Sequence, residues 1–139
     1  MDKLQITVEV PVVVIVTENF KHKLIYDLQE KIRRVELELQ QLDFTSRRTL
    51  MEAERQGQLP QVQRQIEAER QKRLDSRQEC LDKIKQIARL KEGDEVLQGH
   101  AQSMVEVMVG DNWNEAKNLC IVLRDDRVVE IRRGQDNRG

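Results

Sequence analysis

The residues able to do covalent or metal chemistry are few and scattered. Two cysteines, Cys80 and Cys120, and two histidines, His22 and His100, are the ligand candidates in a chain of 139 residues. A zinc centre needs three or four such groups converging, and none of these forms a short ligand spacing. Each cysteine sits in an apolar-periodic stretch, where a thiol serves as a small core residue. No secretory segment precedes them, so reduced thiols are expected rather than a disulfide. No Gly-x-Ser-x-Gly elbow occurs, no Cys or Ser has a nearby His, and no glycine loop is built to hold phosphate. The residues therefore point to no catalysis, no metal, no cofactor and no small-molecule substrate.

Two groups remain that could bind a macromolecule. Trp113 is the sole tryptophan, flanked by Asp111 and Glu115, whose acidity suits turns for local hydrogen-bonding reasons. A lone Trp in a turn is either a binding anchor or a lid folded back over a small core. The lid is the expectation here, with the anchor as the alternative. The second group is Arg47, Arg48, Arg55, Arg64, Arg70, Lys72, Arg73 and Arg77, interleaved with Glu52, Glu54, Glu67, Glu69, Asp75 and Glu79. Mixed charge at this spacing reads as a solvated helix face with i,i+4 pairs. A phosphate-reading surface is more one-sided and uses aromatic stacking, yet Phe44 is the only aromatic between residues 27 and 112. Arg47, Arg48, Arg70, Arg73 and Arg77, with Trp113, are the candidate interaction residues. Their partner is another protein, a second copy of the chain, or RNA.

The composition describes what positions them. Charged residues make up 35% and aromatics 3%, with two Pro and six Gly. That mixture belongs to long solvated helices rather than to a round core. The net charge is -1, so the chain as a whole has no field to draw nucleic acid or an anionic membrane. Val12–Val16 is too short to span a bilayer, and a soluble, cytoplasmic protein is expected.

Residues 4–16 begin with alternation: Ile6, Val8 and Val10 against Gln5, Thr7 and Glu9, a strand with one buried face. Pro11 cannot donate to a ladder and predicts an edge or a bulge. The run Val12–Val16 predicts cover on both faces. Thr17 is placed to cap a helix that starts at Glu18. From there Ile25, Leu28, Ile32, Val35, Leu39 and Leu42 recur in steps of three and four, a heptad seam. Gly57-Gln58-Leu59-Pro60 breaks it, with Gly suited to a left-handed cap and Pro to a new first turn.

Folding the two halves back about Gln58 predicts an antiparallel hairpin. It sets Leu28 against Ala88, Ile32 against Ile84, Val35 against Leu81, Leu42 against Leu74 and Leu50 against Ile66. Towards the turn Leu39 meets Arg77 and Ser46 meets Arg70, while Thr49 and Ala53 take core positions. Little apolar area is buried there, so the distal third is expected to be mobile.

Gly93-Asp94 closes the second helix. Val96-Leu97 gives a short strand signal, Ala101–Val109 alternates, and Gly110-Asp111-Asn112 is a turn. Leu119–Leu123 and Val128–Ile131 flank an Asp-rich link and predict a β-hairpin.

These pieces predict an α+β fold. A long antiparallel helical hairpin, a coiled coil, is inserted after the first strand of a small antiparallel β module of four or five strands. The module takes residues 4–17 plus 94–133, the arm residues 18–92 with its turn near 57–60, and residues 134–139 form a flexible tail.

Certain stretches are distinctive. The apolar strand runs into Thr17-Glu18 and a charged heptad helix. Later come Val105-Glu106-Val107, then Gly110-Asp111-Asn112-Trp113, and finally Ile121–Arg132 with its Val-Val-Glu-Ile-Arg close. In these the chain resembles the YlqD-like family of small bacterial proteins, over nearly its whole length, although the helical part matches mainly in character. The resemblance implies a cytoplasmic, non-enzymatic protein and brings no catalytic or ligand-binding residues. A structural or interaction protein presenting the helical arm is the expected function, with RNA or ribosome association through the arm arginines, Arg132, Arg133 and Arg138 as the alternative.

Overall fold

The computed structural model describes residues 2–133, so the tail expected at 134–139, with Arg138, lies outside the described residues. The chain divides into two compact units. Of the described residues, one unit takes those up to Phe20 with those from Leu90 onward, and the other is Lys21–Arg89.

The first unit holds a four-stranded sheet in the order β2-β1-β3-β4. Its strands are β1 (Lys3–Ile15), β2 (Glu95–Met108), β3 (Leu119–Arg124) and β4 (Arg127–Arg133). The two short signals after the helices belong to one strand, β2, which passes through Gly99 without stopping. It lies antiparallel to β1 along nearly all of it, with a register slip between Val12 and Val13. Pro11 lies one residue before that slip, and its nitrogen, which has no N–H to give, faces away from β2 on the side where β3 has not yet joined.

The sheet is mixed rather than purely antiparallel, because β3 runs parallel to β1 through Val12, Val13 and Val14. A parallel pair needs a long crossover, and here the whole helical segment and β2 intervene in sequence. The β3–β4 hairpin turns on Asp125 and Asp126, at φ 49° and 66°. A two-residue turn with positive φ at both positions matches the strand twist, and Asp tolerates it better than most residues. Thr17 donates from its hydroxyl to Asp125 at 2.6 Å. The same oxygen accepts from the Phe20 amide at 3.1 Å, so Thr17 caps the helix as predicted.

The core of this unit is small. Val13, Cys120 and Val122 pack together with half-buried Ile15, while Val10, Val14 and Val16 are also buried. Neighbours of opposite parity are thus both covered, as the unbroken apolar run Val12–Val16 predicted. Arg132 on the outer strand β4 donates both terminal nitrogens to the Glu95 carboxylate of β2, each at 2.7 Å, and its Nε to Glu130 at 3.2 Å. Arg132 stands opposite Cys120 and Glu95 opposite Ile15, so this fork joins the two outer strands across the core face. Fork geometry of this kind is the strongest form of a carboxylate–guanidinium contact.

The hydrogen bond from Arg132 holds the Glu95 carboxyl below its ordinary 4.5, and burial pushes the Cys120 thiol up. A carboxyl whose folded pKa is depressed stabilises the fold above its unfolded pKa. That contribution is lost as pH falls through the folded value. Wild type should therefore lose more stability between pH 6 and pH 3 than Glu95→Gln does, read as the urea midpoint at each pH. Equal losses would show that the fork carries no pH-dependent stability.

The second unit is an antiparallel hairpin of α1 (Glu18–Arg55), from Lys21 onward, and α2 (Leu59–Ala88), joined at Gly57 with φ 73°. Along α1 the predicted seam is inward: Val35 and Ala53 are buried, and Ile25, Leu28, Ile32, Leu39, Leu42, Ser46 and Leu50 are half-buried. Thr49 is not in the seam. It is exposed, and its hydroxyl donates to the Thr45 carbonyl at 3.1 Å.

At three places the covered line of α2 runs one residue earlier than expected, at 73, 80 and 87 rather than 74, 81 and 88. Leu59, Ile66, Arg73, Cys80 and Ile87 form the covered heptad line, with Cys80 buried, whereas Leu74 and Ala88 are exposed. Ile66 and Ile84 keep their predicted inward places, and Leu81 is half-buried beside Cys80. Matching apolar to apolar skipped this line because Arg73 lies on it. A long aliphatic stem lets an arginine occupy such a place while its head reaches a carboxylate.

Candidate interaction surfaces

Heptad spacing gives α1 a second stripe, on the side away from its seam. Leu37, Phe44 and Met51 follow one another at intervals of seven, and Tyr26 stands on the same side about three turns before Leu37. Seven residues advance a helix by roughly 10.5 Å, so such a line stays on one face. Their exposures are 55% for Leu37, 72% for Phe44, 66% for Met51 and 60% for Tyr26. A helix that packs by one face normally leaves the other polar. Apolar residues placed in a row on that second face make it a candidate contact surface.

The candidate arginines divide into two sets. Arg70 is paired with Asp43 across the hairpin, Arg77 with Glu36 at 3.6 Å, and Arg73 with Glu38 at 3.6 Å and with Glu69 of its own helix at 2.9 Å. Arg70 and Arg77 were expected opposite Ser46 and Leu39. Each instead reaches a carboxylate one turn earlier on α1, because a guanidinium in a seam leans out to the nearest charge that can satisfy it. Hydrogen bonding from Arg73 keeps the Glu69 carboxyl below its ordinary value, with Lys72 adding to it. The expected solvated face is present as well, in Arg33–Glu30, Arg55–Glu52 and Lys72–Glu69.

Arg47 and Arg48 form the other set. Both are exposed. They follow Phe44 by three and four residues and precede Met51 by four and three, so both flank the apolar stripe.

Trp113 does not fold over the core. It opens the five-residue helix α3 (Trp113–Lys117) and is 58% exposed, with the Lys117 ammonium 5.7 Å from its ring centroid. Asn112 caps this helix by accepting from the Glu115 amide at 3.2 Å. One turn of helix leaves Trp113 beside a groove of about 330 Å³ lined by Lys3, Leu4, Val107, Met108 and Ala116. Leu4, Met108 and Val109 are exposed nearby.

Among the described residues no group of three or more His, Cys, Asp or Glu could hold a metal ion. Both cysteines are free and buried, one in each unit. No helix among the described residues is long and apolar enough to cross a membrane.

This architecture defines a class: α+β proteins in which a helical hairpin stands, in sequence, between the first two strands of a four-stranded sheet. The family model described as YlqD protein matches residues 4–132, and the chain belongs to that family. It is 32% identical over 131 residues to the uncharacterized protein YlqD of Bacillus subtilis (strain 168), covering 93% of this chain and 98% of that protein. A crystal structure of a protein of unknown function from Synechococcus sp. WH 8102 superposes with a TM-score of 0.79 at 25% identity, over 95% of this chain and 99% of that one.

Proposed function

We propose that the protein is a non-enzymatic interaction protein, whose helical hairpin offers the outer stripe of α1 to another protein. The observation that carries this reading is the exposed line of Leu37, Phe44 and Met51 on the face of α1 opposite its seam. Arg47 and Arg48 flank it, so the fitting partner presents apolar side chains at helical spacing with carboxylates beside them. Burial of a large aromatic between charged rims is the usual make-up of a binding hot spot. A cytoplasmic setting fits the two free thiols.

RNA association is the second reading, favoured by the exposed Arg47 and Arg48 next to Phe44, an aromatic on which a base could stack. Ion pairing of Arg70, Arg73 and Arg77 within the hairpin weighs against it.

The test is capture of binding partners from native lysate by the full chain and by Phe44→Ala, with and without nuclease. A protein that survives nuclease and binds about 30-fold more weakly to Phe44→Ala supports the first reading. Binding abolished by nuclease and falling steeply with salt supports RNA instead. A captured protein indifferent to Phe44→Ala and to Leu37→Glu would end the stripe reading.

A further inference from the structure

The N-terminal part of β1, from Lys3 to Pro11, has a partner strand on one side only. β2 pairs with it from Lys3 onward, but β3 joins its other side only at Val12, Val13 and Val14. From Lys3 to Pro11 the sheet is therefore a two-stranded ribbon, and such ribbons are marginal in water without a third strand. The ladder shows which groups face the open side. Val109 donates to the Asp2 carbonyl at 3.0 Å, so the even-numbered residues up to Val12 bond to β2. In an antiparallel ladder the alternate residues then point the other way. The amides and carbonyls of Lys3, Gln5, Thr7 and Glu9 face outward, and among the described residues β1 has no strand beside them. The side chains of all four are exposed.

We propose that this edge pairs with the same edge of a second copy of the chain. The pairing is antiparallel about a twofold axis at Ile6. In that register Lys3 faces the other copy's Glu9, Gln5 faces its Thr7, Leu4 faces its Val8, and Ile6 faces itself.

Three independent requirements select this register. The outward-pointing odd residues must oppose one another, so that they exchange about eight backbone hydrogen bonds. Side chains on the apolar face must meet apolar partners, which Leu4, Ile6 and Val8 do. Charges must complement, and of the neighbouring twofold registers only this one sets Lys3 against Glu9. A closed twofold contact is also self-limiting. β3 pairs with β1 only from Val12, so in this register the second strand pairs along residues 3–9 and turns away beyond its own Lys3. Charged edge residues ordinarily repel foreign strands, and in this register the same charges admit the chain's own copy. The pairing involves only the sheet and stands apart from the stripe on α1.

Sedimentation equilibrium of the full chain should give a concentration-dependent dimer. Thr7→Pro removes an outward N–H, as Pro11 already does at the same parity, and leaves the β1–β2 bonds intact. It should weaken the dimer tenfold or more, as should Glu9→Lys, which sets like charges opposite each other twice. Combining Lys3→Glu with Glu9→Lys should restore it to within about threefold.

The register itself is read by cross-linking. Facing residues of a non-hydrogen-bonded pair stand about 4.5 Å apart at Cα, within disulfide reach. Oxidised Ile6→Cys should therefore run as a covalent dimer on a non-reducing gel. Val8→Cys should not, since the two copies of Val8 lie four residues out of register. The buried native thiols do not compete. A strictly monomeric wild type overturns the proposal. So does a dimer unaffected by both Thr7→Pro and Glu9→Lys, or one in which Val8→Cys cross-links as well as Ile6→Cys.

Discussion

Val122→Asp should leave the sheet unit unable to fold, with loss of the strand signal in circular dichroism and of any Trp113 fluorescence change on denaturation. Val122 is 0% exposed and packs with Val13 and Cys120, in a core with few other members. An ionised carboxylate there would be buried without a cation or donor arranged for it, and that costs several kcal/mol. Domains of this size hold about 5–15 kcal/mol in total. Val122→Ala gives the graded version: loss of two methyl groups and the resulting cavity should cost about 2 kcal/mol. In a unit this small that corresponds to a fall in Tm of about 10 °C. The mechanism is wrong if Val122→Asp melts cooperatively within a few degrees of wild type.

Arg73→Leu should move stability the other way. Arg73 lies on the covered line of α2 between Ile66 and Cys80, with its side chain 28% exposed. Its Nε is buried with no hydrogen-bond partner, Glu38 being 3.6 Å away. The carboxylates it pairs with remain about half exposed, and ion pairs to such groups contribute little. Replacing a partly buried charge by a packed apolar side chain is often stabilising. The hairpin should gain about 1 kcal/mol, seen as a Tm several degrees higher and slower amide exchange around residues 66–80. A lower Tm would mean that the Glu38 and Glu69 contacts outweigh the apolar packing. The same exchange profile tests the expectation that the distal third of the hairpin opens first, since Ser46 and Arg70 interrupt the apolar seam there.

The candidate surfaces were only partly legible in the sequence. The arginines stood out as a group, but nothing in their spacing separated Arg70, Arg73 and Arg77, which pair within the hairpin, from Arg47 and Arg48, which stay exposed. That division depends on which α1 carboxylates come within reach, and a one-residue change in the α2 line alters it. The stripe of Leu37, Phe44 and Met51 did have a signal, since its members recur at seven. It was hidden because the denser seam at Val35, Leu39 and Leu42 already accounted for the heptad period.

Local chemistry by itself determined the elements. The alternation from Ile6 to Val10, the cap at Thr17, the breaker at Gly57 and Pro60, and the Asp-Asp turn each act through backbone preferences within a few residues, so each could be read in place. Only the tertiary structure decided that β3 joins β1 in parallel, that Arg132 reaches Glu95 across two strands, and that Trp113 is left outside the core. Those outcomes turn on competition between partners far apart in sequence for the same edge, charge or volume, and one-dimensional spacing does not rank such partners.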